Sequence, residues 1–166
     1  MDRRNALTLL AIAIAAPTVV HAKDSMAEAE KEHAMQTLAV GSVALETARI
    51  AGDKGQNVWV KKFAQYEVAE QTTIAEILKS MGAVPAKLSD KQSAMITEAK
   101  EAKAGTDFDR SFLAGQLEGH KELLKIQDTY IDKGKDEGAV SLSKLARAQI
   151  KEHIDLIETI QKDMKA

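Results

Sequence analysis

The sequence predicts an all-α protein: an antiparallel four-helix bundle with an extra short helix in its central crossing. Three observations lead there. Ala, Leu, Glu, Lys and Gln, all helix formers, dominate a chain with only two prolines. Apolar residues recur at three- and four-residue spacing along four long stretches. The breaks between stretches are short, and most carry glycine where a helix ends.

The first stretch runs from about Met26 to Ala51 and stops at Gly52-Asp53-Lys54-Gly55. The second, about Gln56 to Met81, ends at Gly82 before the Pro85 loop. Ser89 reads as the N-cap of a shorter helix that reaches about Ala104 and ends at Gly105. Thr106 is read as the next cap, with Asp107 and Asp109 in the first turn where the helix dipole favours them, and this helix continues to Lys133-Gly134. The last starts near Asp136 and runs to the C-terminus. Short connections make sequential helices antiparallel neighbours.

The inward stripes follow from the helical period. On the first helix Ala39, Val43, Glu46 and Ile50 align; on the second, Phe63, Glu67, Glu70, Ile74, Ile77 and Met81. The third long helix aligns Leu113, Leu117, His120, Leu124 and Ile131, with Gln116 one turn before the histidine. The fourth aligns Leu142, Ala146, Gln149, His153, Leu156 and Ile160. Each stripe is interrupted near its middle by side chains able to ligate a metal or join a buried polar network. His120, His153, Glu46 and Glu70 are therefore expected to face one another at similar depth.

Two readings of that layer stand. One is a mononuclear divalent-metal site of His120 and His153 with Glu46 or Glu70. The other is a hydrogen-bonded layer, including Gln116, Gln149 and Glu67, that fixes helix register without a cofactor. The residue types favour the second: both histidines are preceded by Gln at four residues, and amide oxygens are weak neutral ligands. A dinuclear carboxylate centre is disfavoured, because Glu67-x-x-Glu70 lacks the histidine of the Glu-x-x-His pattern. His33, in the charged stretch Glu28-Ala-Glu-Lys-Glu-His33, is expected on the surface, and Trp59 is expected to pack at the mouth of the second helix.

Composition removes other classes. A formal charge of −2 and few aromatics give nucleic acid neither a basic footprint nor stacking platforms. The absence of cysteine excludes disulfides, thiolate metal sites and a cysteine nucleophile. No phosphate-cradling glycine loop and no H-E-x-x-H pattern occurs.

Residues 1–22 read as a cleavable export signal rather than as part of the bundle, which then occupies 23–166. Arg3 and Arg4 are followed by the apolar run Ala6 to Ala16, Pro17 breaks it, and Val20-His21-Ala22 ends with small residues at the −3 and −1 positions. The apolar run is shorter than the roughly 20 residues a membrane span needs, so no permanent span is expected after cleavage behind Ala22. The Arg-Arg pair also resembles a twin-arginine signal. Losing Asp2, Arg3 and Arg4 takes 23 basic residues to 21 and 25 acidic ones to 24, a mature charge of −3. The expected address is the periplasm.

Three segments carry a family resemblance: Val60-Lys-Lys-Phe63-Ala-Gln65, the stretch from Phe108 to Lys121 with Gln116-Leu-Glu-Gly-His120 at its centre, and Ile150-Lys-Glu-His153-Ile. They resemble the bacterial family called domain of unknown function 4142, over about Glu32 to Lys162. The resemblance implies a ferritin-like bundle in the periplasm or envelope, with no established activity. Where family members usually carry Asp-His in the second helix, this chain has Glu70-Gln71, so of three family histidines only those matching His120 and His153 are present. Two functions stay open: a non-enzymatic envelope protein that binds a protein partner or envelope component or serves stress tolerance, which the residues favour, and a metal-binding or redox bundle.

Overall fold

The computed structural model describes residues 26–84 and 87–165. The expected signal segment 1–22 and its cleavage point lie outside them, as does Pro85. The described residues form five helices: α1 (Glu28–Lys54), α2 (Val58–Ser80), α3 (Asp90–Glu101), α4 (Thr106–Lys133) and α5 (Glu137–Asp163). The described residues contain no strand, and no described helix is long and apolar enough to cross a membrane.

Local chemistry sets the boundaries. Asn57 caps α2, its side chain accepting from the backbone N–H groups of Trp59 and Val60. Ser89 and Gln92 form a reciprocal capping box at α3, and Asp136 accepts from the Ala139 N–H at the start of α5. Thr106 is not a cap but the first residue of α4. The cap is Gly105, which makes no side-chain bond and has φ +148°, a conformation that excludes a Cβ.

The long helices form a ring in which α1 packs on α2 and α4, and α5 packs on α4 and touches α2. The start of α1 lies against the end of α4, where Tyr130 donates to Glu30. Its end lies by the start of α4, where the buried Asp109 carboxylate accepts from the N–H groups of Gln56 and Asn57 in the α1–α2 turn. Ring neighbours are thus antiparallel and diagonal helices parallel. That arrangement requires a long connection from the end of α2 back to the start of α4. Helix α3 supplies it, packing on α1, with Lys54 donating to the carbonyls of Ala99 and Ala102 at the α3 C-terminus.

The core divides into two apolar clusters along the bundle. One contains Ala48, Val60, Phe63, Leu113 and Ile157, the other Leu38, Ile74, Leu123, Ala146 and Ile150. The inward faces are turned from the expected stripes by about one residue. Helix α1 buries Thr37, Val40, Gly41, Ala44, Ala48 and Ala51 rather than Glu46 or Ile50, and α4 buries Gln116, Leu123 and Gln127 while Leu117 and Leu124 stay half-buried. Small side chains cause the offset: Ala, Gly and Thr let helices approach closely, yet barely register as an apolar stripe. Gly41 is the clearest case, because a Cβ there would run into the buried Gln71 side chain. Trp59 also departs from expectation: it is largely exposed, because Val60 and Phe63 take the inward face beside it.

Candidate metal centre

Glu67 on α2, His120 on α4 and His153 on α5 converge midway along the bundle. Their positions follow from the helical period, since each lies between a residue of one apolar cluster and a residue of the other: Phe63 and Ile74 on α2, Leu113 and Leu123 on α4, Ile157 and Ile150 on α5. Glu67 and His120 are fully buried, and the His153 side chain is 12% exposed.

Glu67 Oε2 lies 3.1 Å from His153 Nδ1 and 3.3 Å from His120 Nε2, and the two ring nitrogens are 3.2 Å apart. A tetrahedral ion with bonds of about 2.0–2.1 Å holds its ligands about 3.3 Å from one another. An octahedral ion with slightly longer bonds has ligand spacings of about 3.0 Å on one face. The three atoms therefore already form one face of a coordination polyhedron.

Both imidazoles are oriented from behind. His120 Nδ1–H donates to the Gln116 carbonyl at 2.8 Å, which turns Nε2 to the centre. His153 presents Nδ1 to the centre and holds Nε2 3.3 Å from Glu70 Oε2. Such outer partners fix the tautomer and ring direction of metal-ligating histidines. Phe63 covers the pair, its ring centroid 6.0 Å from His120 and 5.2 Å from His153.

The environment drives the two carboxyls apart. Burial opposes the charge on Glu67, but hydrogen bonds from His120 and His153, and their charge, outweigh it and bring the carboxyl down to about 2. Burial lifts Glu70 above the usual carboxylate range; the Glu67 charge adds to the effect and His153 opposes it. Burial likewise opposes the imidazolium of His120, yet the hydrogen bond and charge of Glu67 hold it above the ordinary histidine value. Glu67 is thus the fixed anion of the layer. Glu67 Oε1 and Glu70 Oε1 are both buried without a hydrogen-bond partner. Unsatisfied carboxylate oxygens at this depth suit a cation, which balances their charge as well as their lone pairs.

Of the four residues expected to meet, the structure brings together His120, His153 and Glu70. Glu46 does not join them: it lies on the flank of α1, half-exposed, 2.6 Å from Arg49, because the rotation of α1 turns that position outward. Glu70 lies on the far nitrogen of His153 rather than at the centre. Glu67, expected only within the polar layer, takes the central place. The Gln116 amide donates to the Ala44 carbonyl and to Thr47 at 3.0 Å each, whereas Gln149 is half-buried at the edge of α5.

A second polar layer lies nearer the start of α1 and was not foreseen. His33 is buried rather than on the surface: its Nε2 lies 2.8 Å from Gln127 Oε1 and 3.2 Å from Ser143 Oγ, and its ring stacks on Tyr130 with centroids 4.0 Å apart. Gln127 donates onward to Thr37, and Tyr130 to Glu30. The stretch around His33 is charged on every side, so an apolar count finds no inward face there. The inward face is polar, with polar partners on α4 and α5.

No curated protein and no solved structure matches the chain. The model of one family, described as Domain of unknown function (DUF4142), matches residues 15–160. That stretch takes in α1 to α4, nearly all of α5, and every residue of the candidate centre, and on it the chain belongs to the domain of unknown function 4142 family.

Proposed function

We propose that the protein is an exported, periplasmic helical bundle that binds one divalent first-row transition ion on Glu67, His120 and His153. The observation that carries this reading is the triangle of Glu67 Oε2, His120 Nε2 and His153 Nδ1, with edges of 3.1–3.3 Å. Glu67 contributes the negative charge, the two imidazoles contribute borderline ligands suited to zinc, iron or manganese, and Glu70 positions His153. An ion bound there would supply fixed positive charge to a buried carboxylate. His120 must give up its Nε2 proton to take part, so loading releases protons. The role proposed is binding, and none of the three residues lines the cavity of about 420 Å³ beside α3. Export rests on the arginine pair, the short apolar run and the Val20-His21-Ala22 end of the N-terminal segment.

The second reading is a hydrogen-bonded layer without metal, favoured by the contacts that the three side chains already make with one another. Elemental analysis of protein purified from its own periplasm separates the two, together with calorimetric titration by zinc, manganese and ferrous ions. One ion per chain is expected in the native protein and none in the His120→Leu/His153→Leu variant, with helical content kept. Failure of the native protein to bind any of these ions leaves the structural layer as the function of these residues. Intact-mass measurement on the envelope fraction tests export: the expected N-terminus is Lys23, and full-length chain in the membrane fraction contradicts it.

A further inference from the structure

Helix α3 does not close tightly on the bundle. Its one buried residue is Ile96, and between it and the α1–α4 groove lies a cavity of about 420 Å³. A cavity of that size is within the range of small-molecule sites. Its existence follows from the sequence of α4, where Gly115 and Gly119 take two successive turns of the wall and leave open the space that larger side chains would fill. A Cβ at Gly115 would meet nothing within 4 Å, and one at Gly119 would only touch Val40 at 3.8 Å.

The walls and the rim differ in chemistry. Val43, Phe108 and Phe112 form an apolar wall, faced by Met95 and Ala99 of α3. The rim carries three exposed carboxylates, Glu98, Glu118 and Glu122, against one ammonium, Lys91, which lies 3.6 Å from Glu118. Carboxylates around a low-dielectric cleft concentrate cations and repel anions. The cavity is separate from the Glu67-His120-His153 centre: none of those three residues lines it, and Gln116, which does, meets His120 through its backbone carbonyl.

We propose that this cavity is a binding site for an amphipathic organic cation, whose apolar body lies against Phe108, Phe112 and Met95 while its charged head remains at the glutamate rim. The proposal is independent of metal binding.

Three probes with the same ten-carbon chain test it by calorimetry below their micellar concentrations: decyltrimethylammonium, decanol and decanoate. The expected result is saturable binding of one decyltrimethylammonium per chain, with decanoate about ten-fold weaker or more at low salt. Gly115→Leu, and separately Gly119→Leu, fill the space and are expected to remove binding while the thermal midpoint is held or raised, since leucine is the better helix former. The Glu98→Gln/Glu118→Gln/Glu122→Gln variant is expected to keep binding of the apolar chain and lose the preference for the cation. If a glycine variant fails to fold, the charge series on the native chain still decides. Equal or tighter binding of decanoate, no saturable binding of the cation, or undiminished binding in a folded glycine variant overturns the proposal.

Discussion

His120 Nδ1 lies 2.8 Å from the carbonyl oxygen of Gln116, one turn earlier on α4, and because a carbonyl only accepts, that nitrogen carries a proton in either charge state of the ring. The nitrogen left to vary is Nε2, which faces Glu67 Oε2 and His153 Nδ1. A backbone contact thereby decides which histidine nitrogen serves the centre, and no side-chain substitution at Gln116 removes it.

The stability of the layer should depend on whether it is broken or replaced. Glu67→Leu leaves His120 in a buried site without its anion, and breaking a buried pair in this way costs about 3–5 kcal/mol. Replacing Glu67, His120 and His153 together with leucine removes all three polar groups, and is expected to cost far less or to stabilise. Urea unfolding of the two variants without added metal checks this; a triple variant less stable than Glu67→Leu contradicts it.

Glu70 and Glu46 should separate cleanly in metal titrations. Glu70 touches only the outer nitrogen of His153, so Glu70→Ala is expected to weaken binding about 10–100-fold without abolishing it. Glu46 pairs with Arg49 on the flank of α1. Glu46→Ala is expected to leave affinity unchanged and stability within about 0.5 kcal/mol. A large loss of affinity on removing Glu46 would mean that the helix rotation described above is wrong.

Asp109 joins the turn between α1 and α2 to the start of α4 through the backbone N–H groups of Gln56 and Asn57, the latter at 2.8 Å. Asp109 is buried, 1% exposed, and its carboxylate joins the two segments through these bonds. Asp109→Ala is expected to cost about 1–3 kcal/mol in urea unfolding, and Asp109→Asn, which keeps one acceptor, measurably less.

Helix number and approximate boundaries were legible in the sequence because glycine, serine and aspartate act locally: Ser89 caps α3, Asp136 caps α5 and Gly55 ends α1, although α1 runs on through Gly52 and the caps of α2 and α4 are Asn57 and Gly105. The depth of His120 and His153 was legible too, since both interrupt an otherwise apolar face. The rotation of each helix was less so. Large apolar residues such as Ile50 and Leu117 flank the core, while Ala48, Gly41 and Gln116 enter it, and only the packing partner decides between faces about one residue apart. That offset put Glu46 in the expected set and left Glu67 at its margin. The layer around His33 was hidden for a related reason: its inward residues Glu30, His33 and Thr37 resemble a solvated face until Gln127, Tyr130 and Ser143 are brought against them.

His33 gives the fold a pH dependence whose sign can be stated. Burial holds its imidazole below the ordinary histidine value, with the Gln127 hydrogen bond and the Glu30 charge opposing. The unfolded chain takes up a proton at about pH 6.5, so below that pH it binds more protons at this position than the folded chain does. The contribution is therefore constant above pH 6.5 and lost as the pH falls, at up to about 1.4 kcal/mol per pH unit. His120 works in the opposite direction: its folded value is raised, so its contribution is full at low pH and fades as the pH rises. A comparison at fixed pH that alters His33 alone cancels the His120 effect. His33→Phe keeps a ring against Tyr130 and removes the titration. Between pH 7.5 and pH 5.5, urea unfolding is expected to show a larger loss of stability in the native protein than in His33→Phe; identical losses would mean that His33 keeps an ordinary histidine value in the folded protein.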